Sequence, residues 1–213
     1  MIVGDAPQCV QSVAYHRGMS PESTTDGRRA RGDLTRRTVA RKAADIATTH
    51  GLDSITVGSL AKATGLSKSG ILTVFGDRES IQVAAVAEAR RVYLDAVIAP
   101  VWMREPGRER LRAILDRWCS YLRAEVFPGG CFIVAGTAEY GGREGPVADA
   151  IRALKREWLD LLESELTVAG AVNPRRDAFR MDAFLCAANT HRELFGADDV
   201  LDQARELAAE IIG

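Results

Sequence analysis

Residues 56 to 79 constrain the fold more than any other stretch. They read Thr56-Val-Gly-Ser-Leu-Ala-Lys-Ala-Thr-Gly-Leu-Ser-Lys-Ser-Gly-Ile-Leu-Thr-Val-Phe-Gly-Asp-Arg-Glu79. Leu60 and Ala61 belong to one short helix. Ile71 and Phe75, four residues apart, share a face of a second helix that starts near Ser67. Two helices that cross steeply need a small residue where they touch, which Ala61 supplies. The turn between them needs a positive φ, which Gly65 adopts without steric cost. Leu60, Leu66, Ile71 and Phe75 are then expected to form a small core that holds the second helix rigid. Thr56 is a good N-cap for the first helix. Gly58, in its first turn, costs roughly 1 kcal/mol against alanine. The pattern predicts a helix-turn-helix.

The rest of the chain reads as helix too. Residues 1–34 lack helical periodicity, are rich in Gly, Pro, Ser and Thr, and contain the basic cluster Arg28-Arg-Ala-Arg31. They are expected to form a flexible arm, either a solvated tail or a grip on phosphates or a minor groove. From Thr35 onward, apolar residues recur at three and four. Ala40, Ala43, Ala44, Ile46 and Ala47 build a first helix. Ile81, Ala85, Ala89, Val92 and Ala96 mark a fourth, running to about Val97. Leu111, Ile114, Leu115, Trp118 and Leu122 form another stripe, and a short helix is expected over Phe132 to Glu139. Pro146 suits the first position of a long helix through Leu166, and two more helices follow, Arg176 to about Leu194 and Asp198 to Ile212. No segment alternates like a strand. The expectation is an all-α protein of about nine helices, with an arm (1–34), a helix-turn-helix domain (35–82) and a helical body (83–213).

Charge divides the chain the same way. Residues 28–82 hold ten basic and five acidic residues, and residues 83–213 hold seventeen and twenty-one. A basic module on an acidic body suits a nucleic-acid-binding head. The outer face of the second motif helix, Lys68, Ser69, Gly70 and Thr73, is polar or small, as a helix lying in a major groove requires.

Enzyme signatures are absent from the sequence: no HExxH, no P-loop, no GxGxxG after a strand, no nucleophile motif. The chain reads as a binding protein and not an enzyme, with no cofactor and no metal. His16, His50 and His191 are isolated. Cys9, Cys119, Cys131 and Cys186 are scattered, without zinc-like spacing, as in a reducing cytoplasm. No apolar run is long enough for a membrane span, and no signal peptide is recognisable.

Taken with the fifteen or so helical residues before it and Phe75-Gly-Asp-Arg-Glu79 after it, the motif resembles the TetR family of bacterial transcriptional regulators. The resemblance is carried by Leu60-Ala61, Gly65-Leu-Ser-Lys68, Ile71, Phe75, Arg78-Glu79 and Ile81. It continues more weakly through Phe127-Pro-Gly-Gly-Cys-Phe132, Glu139-Tyr140, Gly145-Pro-Val147 and Ala188-Asn189, a pattern similar to one subset of the family. Two positions depart from it, since relatives often carry aromatics at Leu72 and Val74. Leu72 lacks a hydroxyl for a phosphate but could touch a thymine methyl.

The resemblance implies a repressor that binds a palindromic operator as a homodimer and is released by a small-molecule effector. Bases and phosphates would be met by Ser67, Lys68, Ser69, Gly70, Leu72, Thr73 and Val74, with Thr56, Arg36, Arg37 and Arg78 on phosphates. Trp102, Trp118, Tyr121, Phe132, Tyr140 and Trp158 fall in the middle third. They are either ordinary core or the lining of an effector pocket. The last two helices carry Phe179, Phe184, Leu185, Ala188, Leu194, Leu201 and Leu207, which either meet a second copy or complete the body's core. An all-α small-molecule binder or enzyme with a vestigial helix-turn-helix is the alternative, and a regulator without an effector is a third reading.

Overall fold

The computed structural model describes residues 24–213, with side chains from Ala30 onward. Among these residues the regular structure is helical throughout. The nine α-helices are α1 Thr24–His50, α2 Val57–Thr64, α3 Lys68–Phe75, α4 Arg78–Tyr93, α5 Arg108–Arg123, α6 Phe132–Tyr140, α7 Pro146–Val168, α8 Pro174–Phe195 and α9 Asp199–Ile212. A short 3-10 turn, Leu52–Ser54, joins α1 to α2. No helix of the described residues is long and apolar enough to cross a membrane.

Local chemistry sets most helix ends. Asp77 caps α4 by accepting the Ser80 N–H at 2.7 Å, and Asn173 caps α8 by accepting from Arg176 at 3.1 Å. Pro146 and Pro174 occupy first turns, where a missing N–H costs nothing. α4 gives way at Leu94–Ile98 to a wider π turn and then to a 3-10 turn, Ala99–Val101. Pro100 has no N–H to offer the Ala96 carbonyl. The Arg117 guanidinium takes that carbonyl instead, at 2.8 and 3.1 Å.

α1 starts at Thr24, within the stretch expected to be a flexible arm. Residues 24–34 have no apolar stripe, but arginine is a good helix former. Extending an existing helix is far easier than nucleating one. The remainder of the arm expectation, residues 1–23, lies outside the described residues.

α1 lies along α4 and reaches α6; α4 packs on α7, α7 on α8, and α8 on α9, which closes back on α5. One continuous core runs from Val39 in α1 to Ile212 in α9. The apolar residues of the last two helices separate into two sets. Leu185, Ala188 and Leu201 are buried in the body's own core, with Phe184 packed against it. Phe179 and Leu194 stand about 69% exposed, Leu207 42%, and Phe195, beyond the expected set, 69%.

Candidate functional site: a nucleic-acid interface braced by the body

The helix-turn-helix is built as its residues dictate. Thr56 forms a reciprocal capping box with Ser59: its hydroxyl accepts the Ser59 N–H at 3.0 Å, and Ser59 Oγ accepts the Thr56 N–H at 3.1 Å. Gly65 ends α2 in the left-handed region, φ 72°, donating to Ala61 O at 3.0 Å. Ser67 caps α3 through Gly70 N at 3.0 Å. Leu60, Ile71 and Phe75 are buried, and Ala61 and Leu66 pack against them.

This frame turns Lys68, Ser69, Leu72 and Thr73 outward as one exposed strip, with half-buried Gly70 beside it. The Lys68 chain lies over Gly58 of α2, its Cε 3.7 Å from where a β-carbon would stand. Val74, expected on the reading face, instead packs against the core. It lies three residues after Ile71, so the helix turns it toward the Ile71–Phe75 side.

The arginines expected on phosphates differ in role. Arg36 donates from Nη2 to Val74 O at 2.8 Å, and its guanidinium sits 5.0 Å from the Phe75 ring centre, bracing the end of α3. Arg78 donates to Asp53 O at 2.7 Å. Arg37 is exposed on α1. Thr56 and Ser67 spend their hydroxyls on caps but remain at the surface.

Asp53 is the centre of a polar junction between head and body. Its carboxylate accepts from Tyr140 Oη at 3.0 Å and from Arg143. The Arg143 guanidinium holds the Asp53 carboxyl below the usual carboxylate range. Burial first, and then the Asp53 hydrogen bond, push the Tyr140 hydroxyl up to about 12. Glu139 of α6 grips the same turn, accepting from Leu52 N at 2.6 Å and Asp53 N at 2.9 Å. From α4, Gln82 donates to Leu52 O at 2.8 Å. Lower down, Arg41 of α1 stacks 4.3 Å from the Phe127 ring centre and donates to Val126 O.

The six candidate pocket aromatics do not line one cavity. Trp118, Tyr121, Phe132 and Trp158 are all buried around Tyr93, whose ring meets Tyr121 edge-on at 5.7 Å and Trp158 at 5.8 Å. Trp102 lies elsewhere, partly buried beneath the Arg110 guanidinium at 4.4 Å. Tyr140 faces the junction. Two voids beside Tyr93 measure about 20 Å³, next to Leu94, Leu154 and Leu161, and about 10 Å³, next to Trp118 and Cys131. Those hold a water molecule at most, whereas ligand pockets run to roughly 300–1,000 Å³. Burial pushes the thiols of Cys119 and Cys186 up to about 11, and that of Cys131 up as well, which favours the protonated form of each.

Residues 107–208 match the family model described as the tetracyclin repressor-like C-terminal domain. No curated protein sequence matches the chain. Among solved structures, a TetR transcriptional regulator from Chloroflexus aurantiacus J-10-FL superposes with a TM-score of 0.75 at 23% identity, covering 86% of this chain and 96% of that one. The fold is that of the TetR-family regulators. A TetR-family regulator from Streptomyces coelicolor gives 0.74 at 18% identity, covering 84% and 95%. AibR in complex with isovaleryl coenzyme A and operator DNA gives 0.63 at 18%, covering 82% and 96%.

Within this TetR fold, the residues that sequence reasoning passed over are those of the junction: Asp53, Gln82 and Arg143. Glu139 stood out only as part of a recurring pattern, and Tyr140 as part of that pattern and as a candidate pocket aromatic. The fold sets the end of α6, Glu139 and Tyr140, against the turn that leads into the helix-turn-helix.

Proposed function

We propose that this protein is a TetR-family transcriptional regulator, a cytoplasmic repressor and not an enzyme. It binds a palindromic operator as a homodimer and is released by a small-molecule effector. The head, residues 35–82, meets the DNA, and residues 83–213 carry dimerisation and effector binding. The observation that carries the reading is the α3 strip of Lys68, Ser69, Leu72 and Thr73, exposed on a helix fixed by two caps and the Arg36 brace. A reading helix must be both accessible and rigid. Lys68 supplies charge and donors, Gly70 and Ser69 permit close approach, and Arg37 and half-exposed Arg78 reach phosphates. The exposed Phe179, Leu194 and Leu207 supply the apolar face for the second copy, whose two-fold axis would match operator symmetry. AibR, a protein of this fold, is known in a complex with operator DNA, which supports the same partner here.

Two measurements test it, both by fluorescence anisotropy on duplexes from the region upstream of its own gene. Affinity should fall on the order of a thousandfold between about 50 and about 200 mM salt, because each phosphate contact releases counterions. A flat salt response would remove the phosphate contacts from the proposal. Lys68→Ala should weaken the specific complex about tenfold while the melting temperature stays at the wild-type value. A large loss of stability in that variant would make Lys68 a structural residue.

A further inference from the structure

α1 is longer than the head requires. It begins at Thr24, yet Val39 is its first buried side chain among those described. The turns before Val39 carry one large apolar residue, Leu34, and it stands 65% exposed. A segment without an apolar stripe has little to bury against another protein surface. What it carries is arginine: Arg28, Arg29, Arg31, Arg36 and Arg37, against Asp26 and Asp33.

Helical spacing sorts these charges. At about 100° per residue, positions 28, 29, 31 and 36 share a sector of about 160°, and positions 26 and 33 fall outside it. Arg36 fixes where that sector points, because its guanidinium reaches Val74 O and the Phe75 ring at the end of α3. Arg31 is exposed and, among the described residues, has no ion-pair partner. The direction of α1 agrees. Its later turns meet the body, Thr48 at Gly129 and Arg41 at Val126 and Phe127. Arg36, further back, meets the end of α3, and Thr24 lies about 18 Å beyond that along the axis. The helix thus runs from the body, past the end of α3, and out on the side away from the body.

We propose that the first turns of α1 form a helical arm that grips the DNA backbone beyond the bases met by α3, through Arg28, Arg29 and Arg31; this rests on the regulator reading above. Duplex DNA is the occupant that fits. It presents a phosphate about every 3.4 Å of each strand, so a basic edge of about 18 Å runs past roughly five of them. Planar guanidinium forks take phosphate oxygens two at a time. The later turns of α1 are packed in the core and supply the helix nucleus, so the arm meets the duplex already formed. Its contacts add affinity and fix the seating of the head, but read no sequence.

The test uses the full chain with two duplexes of equal length, one from the region upstream of its own gene and one with that sequence scrambled. Binding is followed by fluorescence anisotropy over a salt series. The triple variant Arg28→Gln, Arg29→Gln, Arg31→Gln binds both duplexes about tenfold more weakly. The slope of log affinity against log salt becomes shallower by about 2–3, and the preference between the duplexes stays the same. Its hydroxyl-radical footprint is shorter than that of the wild type, and its melting temperature is unchanged. Gly32→Pro is the second variant. A β-carbon there meets nothing within 4 Å, and proline suits the first turn of the helix that would remain, so the head is spared while the arm loses its helical link. It too weakens both complexes by the same factor.

A wild-type salt slope and footprint in the triple variant overturn the arm, and so does wild-type affinity in Gly32→Pro. A triple variant that loses only the upstream duplex shows base reading and overturns the backbone grip. A wild-type chain that binds neither duplex defeats the regulator reading and the arm with it, whereas a chain that binds both with an unaltered slope in the triple variant defeats the arm alone.

Discussion

Gly129→Ala is expected to lower the melting temperature by roughly 6–12 °C, the consequence of about 3 kcal/mol lost in a chain of this size. A β-carbon on Gly129 would stand 2.0 Å from Thr48 O, 2.4 Å from Thr48 C and 3.0 Å from Thr49 N. All three are backbone atoms of the last turn of α1, so no side chain can rotate away to relieve the overlap. Either the loop or the helix end must withdraw. The same movement stretches the Gly129 N–H bond to Thr48 Oγ1, at 3.2 Å, and the seat of Arg41 on Phe127 and Val126. Those contacts tie the body to the helix on which the head is built, so DNA affinity should fall along with stability. Gly32→Ala is the control. Its β-carbon meets nothing within 4 Å and it lies inside α1, so helix propensity alone favours the substitution by about 1 kcal/mol. Differential scanning calorimetry on both variants decides the matter. Coincident melting of Gly129→Ala and the wild type would mean that loop and helix do not touch.

The helical frame was legible because its signals are local. Thr56, Gly65 and Pro146 each announce a helix end through their own backbone or side-chain chemistry, and each stands where its chemistry implies. Stripes such as Leu111 to Leu122 fix which face goes inward, and those residues are buried. The head–body junction was hidden for the opposite reason. Asp53 and Glu139 are 86 residues apart and sit on polar surfaces, where no periodicity records a partner. The aromatic group reads two ways for a third reason. A packed core and a ligand pocket both require inward apolar rings, and only the volume left between them separates the two. Val74 could have been placed correctly from its spacing to Ile71 and Phe75. Likewise Leu185 and Ala188 share the inward side of α8, whereas Phe179 and Leu194, about four turns apart, share the outward one.

Glu165→Ala should destabilise the body by about 4 kcal/mol, the range found when one partner of a buried ion pair is removed. Glu165 is 4% exposed, and its two oxygens serve different elements. Oε1 accepts from Arg110 Nη1 at 2.7 Å, and Oε2 accepts the Gly107 N–H at 2.6 Å, where α5 begins. Arg110 is buried as well. It donates to Arg104 O at 2.9 Å and lies on the Trp102 ring, while its Nε has no partner. Alanine at 165 would leave that guanidinium charged, buried and short of two acceptors, and would strand the Gly107 donor besides. The penalty thus comes from what remains after truncation, not from the strength of the original pair. Two comparisons separate these. Replacing both partners, Glu165→Leu with Arg110→Met, removes the stranded charge and should recover a large part of the loss, since a buried pair and an apolar pair of similar volume are often close in stability. Asp202→Ala breaks the solvent-exposed pair with Arg123, at 2.8 Å, and should leave the melting temperature within experimental error, because water replaces the lost partner. Urea unfolding of the three variants gives the free energies directly. If the double variant is no more stable than Glu165→Ala, the loss belongs to packing around α5 and α7 and not to the abandoned charge of Arg110.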